Sequence, residues 1–164
     1  MAEEVFIGID PGIAGAVAAV DSSGRLLASY HIPTLQTKGK RREINVGALR
    51  SMLVEFSEGN TAYAALERVS ARPGQGVVSM FRFGKACGLL EGLLLGLRID
   101  YVTPVPRSWQ KVMLRDVEGQ TSKIRSVLAA TRKWENLDLK LKKDHNKADA
   151  ALLAEYARLT RGGA

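Results

Sequence analysis

Three carboxylates draw attention by the company they keep. Asp10 closes an apolar, β-prone run, Val5-Phe6-Ile7-Gly8-Ile9, and opens an Asp-Pro-Gly turn. An acid there is held rigidly by the strand and can face a cleft, although Asp-Pro-Gly also makes turns for their own sake. Glu67 lies near the end of a second, mostly apolar run, Ala62 to Val69. A charge in such a strand costs several kcal/mol if buried without a partner. Arg68 cannot serve, because successive strand side chains point to opposite faces. Asp149 falls on an expected final helix beside small and apolar residues, with His145 four positions earlier. The two share a face if the helix has begun by there. Asp144 or Asn146 suits an N-cap, and an acid in the first turn suits the helix dipole. Capping accounts for Asp144 better than for Asp149.

Carboxylates that converge repel one another and are tolerated around cations. Oxygen ligands with an occasional imidazole suit Mg²⁺ or Mn²⁺, which also bind phosphate oxygens. Two such ions, about 3.5–4 Å apart, can activate a water and stabilise the leaving 3′-oxygen of a phosphodiester. The chain offers little else for acid–base work. It has 2 histidines, and His31 lies in a strand-like run where it reads as structural. Cys87 is the single cysteine, which excludes an intrachain disulfide and a cysteine zinc site and reads as packed.

The elements that must position these groups follow from periodicity. Val5–Ile9, Ala16–Val20 and Leu26–Ile32 read as three strands joined by tight, Gly-containing turns, an antiparallel meander. Thr34 to Glu43 is polar and basic and reads as an exposed loop. Asn45 caps a helix whose apolar stripe runs through Val46, Leu49, Met52, Leu53 and Phe56. The strand Ala62–Val69, a flexible loop Ser70–Gly76 and a long helix Val77–Leu97 come next. That helix carries Gly84, Gly88, Gly92 and Gly96 on one face. Each costs about 1 kcal/mol relative to Ala, so close approach of another element is expected there. Ile99–Thr103 is the next strand, and two or three helices finish the chain, the last near Asn146–Leu159. The order predicts one α/β domain over residues 1–164, a sheet with an antiparallel start and helices packed on it.

Composition narrows the partner. With 46% hydrophobic and 25% charged residues the chain reads as globular, and its net charge of +7 favours a polyanion such as nucleic acid. From Val105 to Ala164 there are 13 Lys or Arg against 7 Asp or Glu, which is +6 of the +7. A second basic concentration is Lys38, Lys40, Arg41 and Arg42. The longest apolar stretch, Cys87–Leu97, is broken by Glu91 and is too short to span a bilayer. Two acids near the N-terminus do not suit a signal peptide. No membrane association and an intracellular, cytoplasmic setting are expected. Residue types and spacing lead to a basic α/β protein with a divalent-metal site.

Ile7-Gly8-Ile9-Asp10-Pro11-Gly12, Ala65-Leu66-Glu67-Arg68-Val69 and Asp144-His145-Asn146-Lys147-Ala148-Asp149-Ala150 together resemble the three acidic motifs of RuvC-type Holliday-junction resolvases, particularly phage-like members. The resemblance spans about residues 5–160 and implies an RNase H-like fold with a central mixed sheet. It implies Asp10, Glu67 and Asp149 as metal ligands, with His145 as the fourth and Asp144 competing for that place. It further implies two Mg²⁺ or Mn²⁺ ions, a homodimer, and paired nicks across a four-way DNA junction, in a bacterial or phage-infected cell. The stretch from Arg72 to Arg82, with Gln75, would meet the junction and the partner subunit. Lys111 and Lys123 fall where the family carries basic residues near the scissile phosphate, Lys123 being also a catalytic candidate. The basic stretch of Lys38, Lys40, Arg41 and Arg42 would join Arg72, Gln75 and Arg82 in holding DNA. One departure stands out. Cellular members often carry an aromatic just after the second motif, whereas here Ser70 follows Val69. The nearest aromatics, Phe81 and Phe83, read as core or dimer packing.

Other readings remain open at this point. They are an RNase H-like nuclease on RNA precursors, flaps or other branched DNA, and a nonenzymatic DNA-binding domain whose carboxylates only form salt bridges. An actin-like phosphate binder fits worse, since such ATPases need a second glycine-rich loop and a longer chain.

Overall fold

A computed structural model describes residues 2–39, 41–70, 74–140 and 144–161. The strand β1 (Glu4–Asp10) pairs antiparallel with β2 (Ala16–Asp21), and β2 with β3 (Leu26–His31), as the turn residues require. The next segment differs from its expectation as a loop. β4 (Thr34–Gln36) and β5 (Arg42–Ile44) form a separate two-stranded hairpin. Backbone pairing makes no demand for apolar side chains, and Gly39 at φ +84° helps reverse the chain.

α1 (Val46–Ser57) follows, and the Asn45 side chain accepts the Ala48 N–H at 3.1 Å as its cap. β6 (Thr61–Leu66) then lies parallel to β1, α2 spans Val77–Gly96, and β7 (Asp100–Val102) lies parallel to β6. Three helices complete the described chain: α3 (Pro106–Met113), α4 (Ser122–Lys133) and α5 (His145–Thr160). The main sheet has the order β3-β2-β1-β6-β7. β6 ends three residues earlier than expected, where the Arg68 N–H turns to the Pro104 carbonyl at 2.8 Å.

Strand alternation builds two cores. Val5, Ile7 and Ile9 join Ala64 and Leu66 against Leu49 and Leu53 of α1 and Leu90 and Leu94 of α2. Phe6, Ala18 and Ala65 face the other way, toward Trp109 and the alanines of α5. Gly8 sits on that second face for a steric reason. A Cβ there would lie 1.9 Å from the Ala150 carbonyl oxygen and 2.3 Å from the Ala154 nitrogen. The backbone of α5 therefore rests directly on β1, which is why Ala150, Ala151 and Ala154 are small and fully buried.

The glycine face of α2 is open among the described residues. Nothing there lies within 4 Å of a Cβ built at Gly84, Gly88, Gly92 or Gly96. The exposed face continues through Val77, Phe81 and Leu95. Phe81 is 75% exposed and so is no part of this chain's core. No helix among the described residues is long and apolar enough to cross a membrane.

Candidate active site

The register of the sheet brings the first two carboxylates together. Ile9 pairs with Leu66 across the parallel strands, and the Glu67 N–H still donates to the Ile9 carbonyl at 3.0 Å. Asp10 and Glu67 thus leave neighbouring strand ends side by side, and two-residue alternation turns both toward the α5 face. α5 crosses that face at Gly8, and Asp149 is the residue before the Ala150 carbonyl that presses there. Its start is tied down as well. The Asn146 side-chain amide donates to the Ala14 carbonyl at 2.5 Å, inside the turn that follows Asp10. α5 begins at His145, so His145 and Asp149 share a face, as their spacing requires.

The electrostatics record the convergence. Burial pushes the Asp10 carboxyl well above the ordinary carboxylate value, and the charges of Asp149 and Glu67 push it further, while Lys123 opposes them. Burial also raises Asp149, to about 6; the Ser126 hydroxyl offsets part of this, the Glu67 charge adds to it, and His145 and Lys123 again oppose. Glu67 is raised by burial as well, against the Trp109 indole N–H, which donates to its Oε1 at 2.8 Å. Asp149 Oδ1 and Ser126 Oγ are buried without a well-formed hydrogen bond. A buried carboxylate oxygen without a donor is costly and calls for a cation or a proton. Oxygen donors with one imidazole nearby fit a hard divalent ion. Among the described residues, no three His, Cys, Asp or Glu side chains are yet gathered tightly enough to hold an ion. Repulsion between like charges works against a tighter gathering of carboxylates when no cation is bound.

The remaining expected site residues fall in several places. Lys123, on α4, acts electrostatically on both Asp10 and Asp149. It also lines a groove of about 410 Å³ together with Thr121 and His145. Asp144 is engaged elsewhere: it is 3% exposed, lies 2.8 Å from His31 Nε2, and has Lys147 at 3.8 Å. His31, read as structural, thus anchors the start of α5 to β3. Lys111 is exposed on α3, and Lys38, Arg41 and Arg42 are exposed on or beside the β4–β5 hairpin. Gln75 and Arg82 are exposed at the start of α2, whereas Lys40 and Arg72 lie outside the described residues. Trp109 and Ser126 were not legible as site residues. Trp109 reads in the sequence as one more core aromatic, and nothing local distinguishes Ser126 from any helical serine.

No family model matches the sequence, and no curated protein matches it. Solved structures do match. The chain shares the RNase H-like α/β fold, and over nearly its whole length it resembles solved structures of RuvC. The Thermus thermophilus RuvC structure superposes with a TM-score of 0.65 at 20% identity, covering 97% of this chain and 96% of that one. T. thermophilus RuvC in complex with Holliday junction substrate gives a TM-score of 0.65 at 21% identity, over 94% and 95% of the two chains. The expected RNase H-like architecture, with its antiparallel three-strand start, is the observed one.

Proposed function

We propose that this protein is a structure-selective DNA endonuclease that resolves four-way junctions by divalent-metal hydrolysis. The observation that carries the reading is the meeting of Asp10, Glu67 and Asp149 at one end of a RuvC-like sheet, each raised by burial and two of them further by neighbouring carboxylate charge. Asp10, Glu67 and Asp149 hold the metal, two Mg²⁺ ions with Mn²⁺ as a substitute, and His145 completes the set. Asp144 takes no ligand position, because His31 already engages it. When bound, such ions supply an activated water and charge stabilisation at the phosphorus and leaving oxygen.

The chain's own residues do the rest. Trp109 holds the Glu67 carboxylate in one orientation through its indole N–H. Lys123 lies beside the carboxylates, where an ammonium can meet the negative charge that grows on a phosphodiester under attack. Lys38, Arg41, Arg42, Arg82 and Lys111 contact DNA phosphates and make binding strongly salt-dependent. Two copies associate, each nicking one strand, and the exposed glycine face of α2 is the surface best suited to their contact. Related RNA or flap substrates are the competing reading.

The test is incubation with a synthetic immobile four-way junction, with and without Mg²⁺, beside matched three-way, flap and hybrid substrates. Paired nicks in the junction are expected, and only with metal. Asp10→Asn and Glu67→Gln should abolish cutting and leave junction binding largely intact. Cutting that survives either substitution removes the site.

A further inference from the structure

We propose that the groove beside Lys123 seats a sugar of the cut strand and selects deoxyribose, with Ile124 and Leu128 as the side chains that refuse a 2′-hydroxyl. The proposal rests on the nuclease reading above and names the substrate class of that site. The groove has a volume of about 410 Å³, and among the described residues its lining is Thr121, Lys123, Ile124, Val127, Leu128 and His145. Thr121, Ile124 and Leu128 follow one another at helical spacing, so one face of α4 carries them. Ile124 is 45% and Leu128 37% exposed, while the same helix turns Ser126 and Ala130 into the interior. An apolar wall left in water beside a charged cluster is of the kind that a ligand covers.

The lining selects the occupant. Among the described residues no Phe, Tyr or Trp borders the groove, so it offers a base no such platform to stack on. Ile124, Val127 and Leu128 have no donors for a phosphate, which suits Lys123 instead. What remains of a nucleotide is its sugar, and in DNA the C2′ of that sugar is a bare methylene that suits apolar carbon. In RNA the same carbon carries a hydroxyl, the group by which a protein tells the two nucleic acids apart. The Thr121 hydroxyl already accepts the Ile124 N–H at 3.3 Å as the cap of α4, and Lys123 and His145 act on Asp149. A 2′-hydroxyl pressed against Ile124 and Leu128 would give up water for no new partner, which is costly.

Position agrees with this choice. His145 opens α5 and precedes Asp149 by one turn, a rise of about 6 Å. Lys123 acts on both Asp10 and Asp149, so the groove and the carboxylates share a border. Stacked nucleotides advance about 3.4 Å along a strand. The groove is therefore within about two nucleotides of a phosphate held at Asp149.

The test uses four-way junctions that are all DNA except for a single ribonucleotide, placed in turn at each position within about two nucleotides of the cut. A parallel set carries 2′-fluoro sugars, which match the ribose pucker and electron withdrawal but donate no hydrogen bond. Single-turnover cleavage in Mg²⁺ should slow about 5- to 150-fold with a ribonucleotide at one of these positions, the usual cost of burying an unpartnered hydroxyl. The 2′-fluoro junctions should be cut like DNA. Ile124→Asn and Leu128→Asn offer the hydroxyl a partner, so within each variant the ratio of deoxy to ribo rates should fall toward unity. Circular dichroism checks that these exposed positions leave the fold intact. A 2′-fluoro penalty equal to that of ribose would overturn the proposal, as would a ratio unchanged in both variants. So would sedimentation showing that the variants fall apart into smaller species, which assigns the groove to a second copy. A wild-type protein that cuts no all-DNA junction removes the nuclease reading and this subsite together. A wild type that cuts DNA junctions and every ribo-substituted one at the same rate removes the subsite alone.

Discussion

Replacing Asp149 by asparagine should make the metal-free protein more stable while destroying its activity. Burial and the Glu67 charge lift this carboxyl from its ordinary 3.8 to about 6. A difference of about 2.2 units at roughly 1.4 kcal/mol each amounts to about 3 kcal/mol held against folding when the group is charged. Coupling to Asp10 and Glu67 spreads that cost over the cluster, so we expect Asp149→Asn to gain about 1–3 kcal/mol at pH 7.5. For a chain of this length that is a rise of roughly 2–12 °C in Tm.

The pH dependence carries the same logic with a definite sign. A raised folded-state value means that the folded protein holds this proton more tightly than the unfolded chain does. The cost is fully present above about pH 6 and fades as pH falls toward 3.8. The advantage of Asp149→Asn should therefore shrink across that window. Glu155 and Asp21, whose values are lowered by their partners, lose their contributions at acid pH in both proteins and cancel in the difference. Mg²⁺ should raise the Tm of the wild type and leave the variant unmoved, since only a protein with the intact ligand set gains binding energy. Thermal scans in EDTA from pH 4 to 8, repeated with Mg²⁺, decide the matter. A variant no more stable than wild type at pH 7.5, together with a wild type indifferent to Mg²⁺, would refute the reasoning.

Three further outcomes can be measured. Trp109→Phe removes the donor that holds Glu67 down, so the acid limb of the cleavage pH profile should move upward by about 1–2 units, the worth of a hydrogen bond to a charged group. Gly8→Ala puts a methyl carbon 1.9 Å from the Ala150 carbonyl, and the resulting shift of α5 should cost about 3 kcal/mol or more, read as a fall in the urea midpoint. Lys123→Met should slow cleavage roughly 10²-fold. If Lys123 touches a phosphate, it should also reduce the salt slope of junction binding by about 0.9.

Much of the fold is legible because local patterns agree with it. The apolar runs ending at Asp10, Asp21 and His31 become the meander, and Asn45 caps α1 as its amide side chain suggests. What escaped depends on contacts distant in sequence. The hairpin of β4 and β5 escaped because its strands are three residues long and mostly polar, and its pairing is between backbones. The glycine stripe of α2 shows in the sequence that a helix can be approached closely but not what approaches it, and among the described residues nothing lies within 4 Å of a Cβ built there. Asp144 and His145 are adjacent in sequence, where the motif makes His145 the expected fourth ligand and Asp144 its competitor. The fold turns Asp144 to His31 and leaves His145 on the face of Asp149.

The amino-acid sequence alone determined most of the elements, the positive charge and the candidate carboxylates, since periodicity, turn chemistry and charge are properties of neighbouring residues. Tertiary structure decided which charges meet. Glu67 lies 57 residues after Asp10 and Asp149 a further 82, and no local preference relates them. Parallel pairing of β1 with β6 aligns the first two, and the missing side chain of Gly8 lets α5 come close enough to deliver the third.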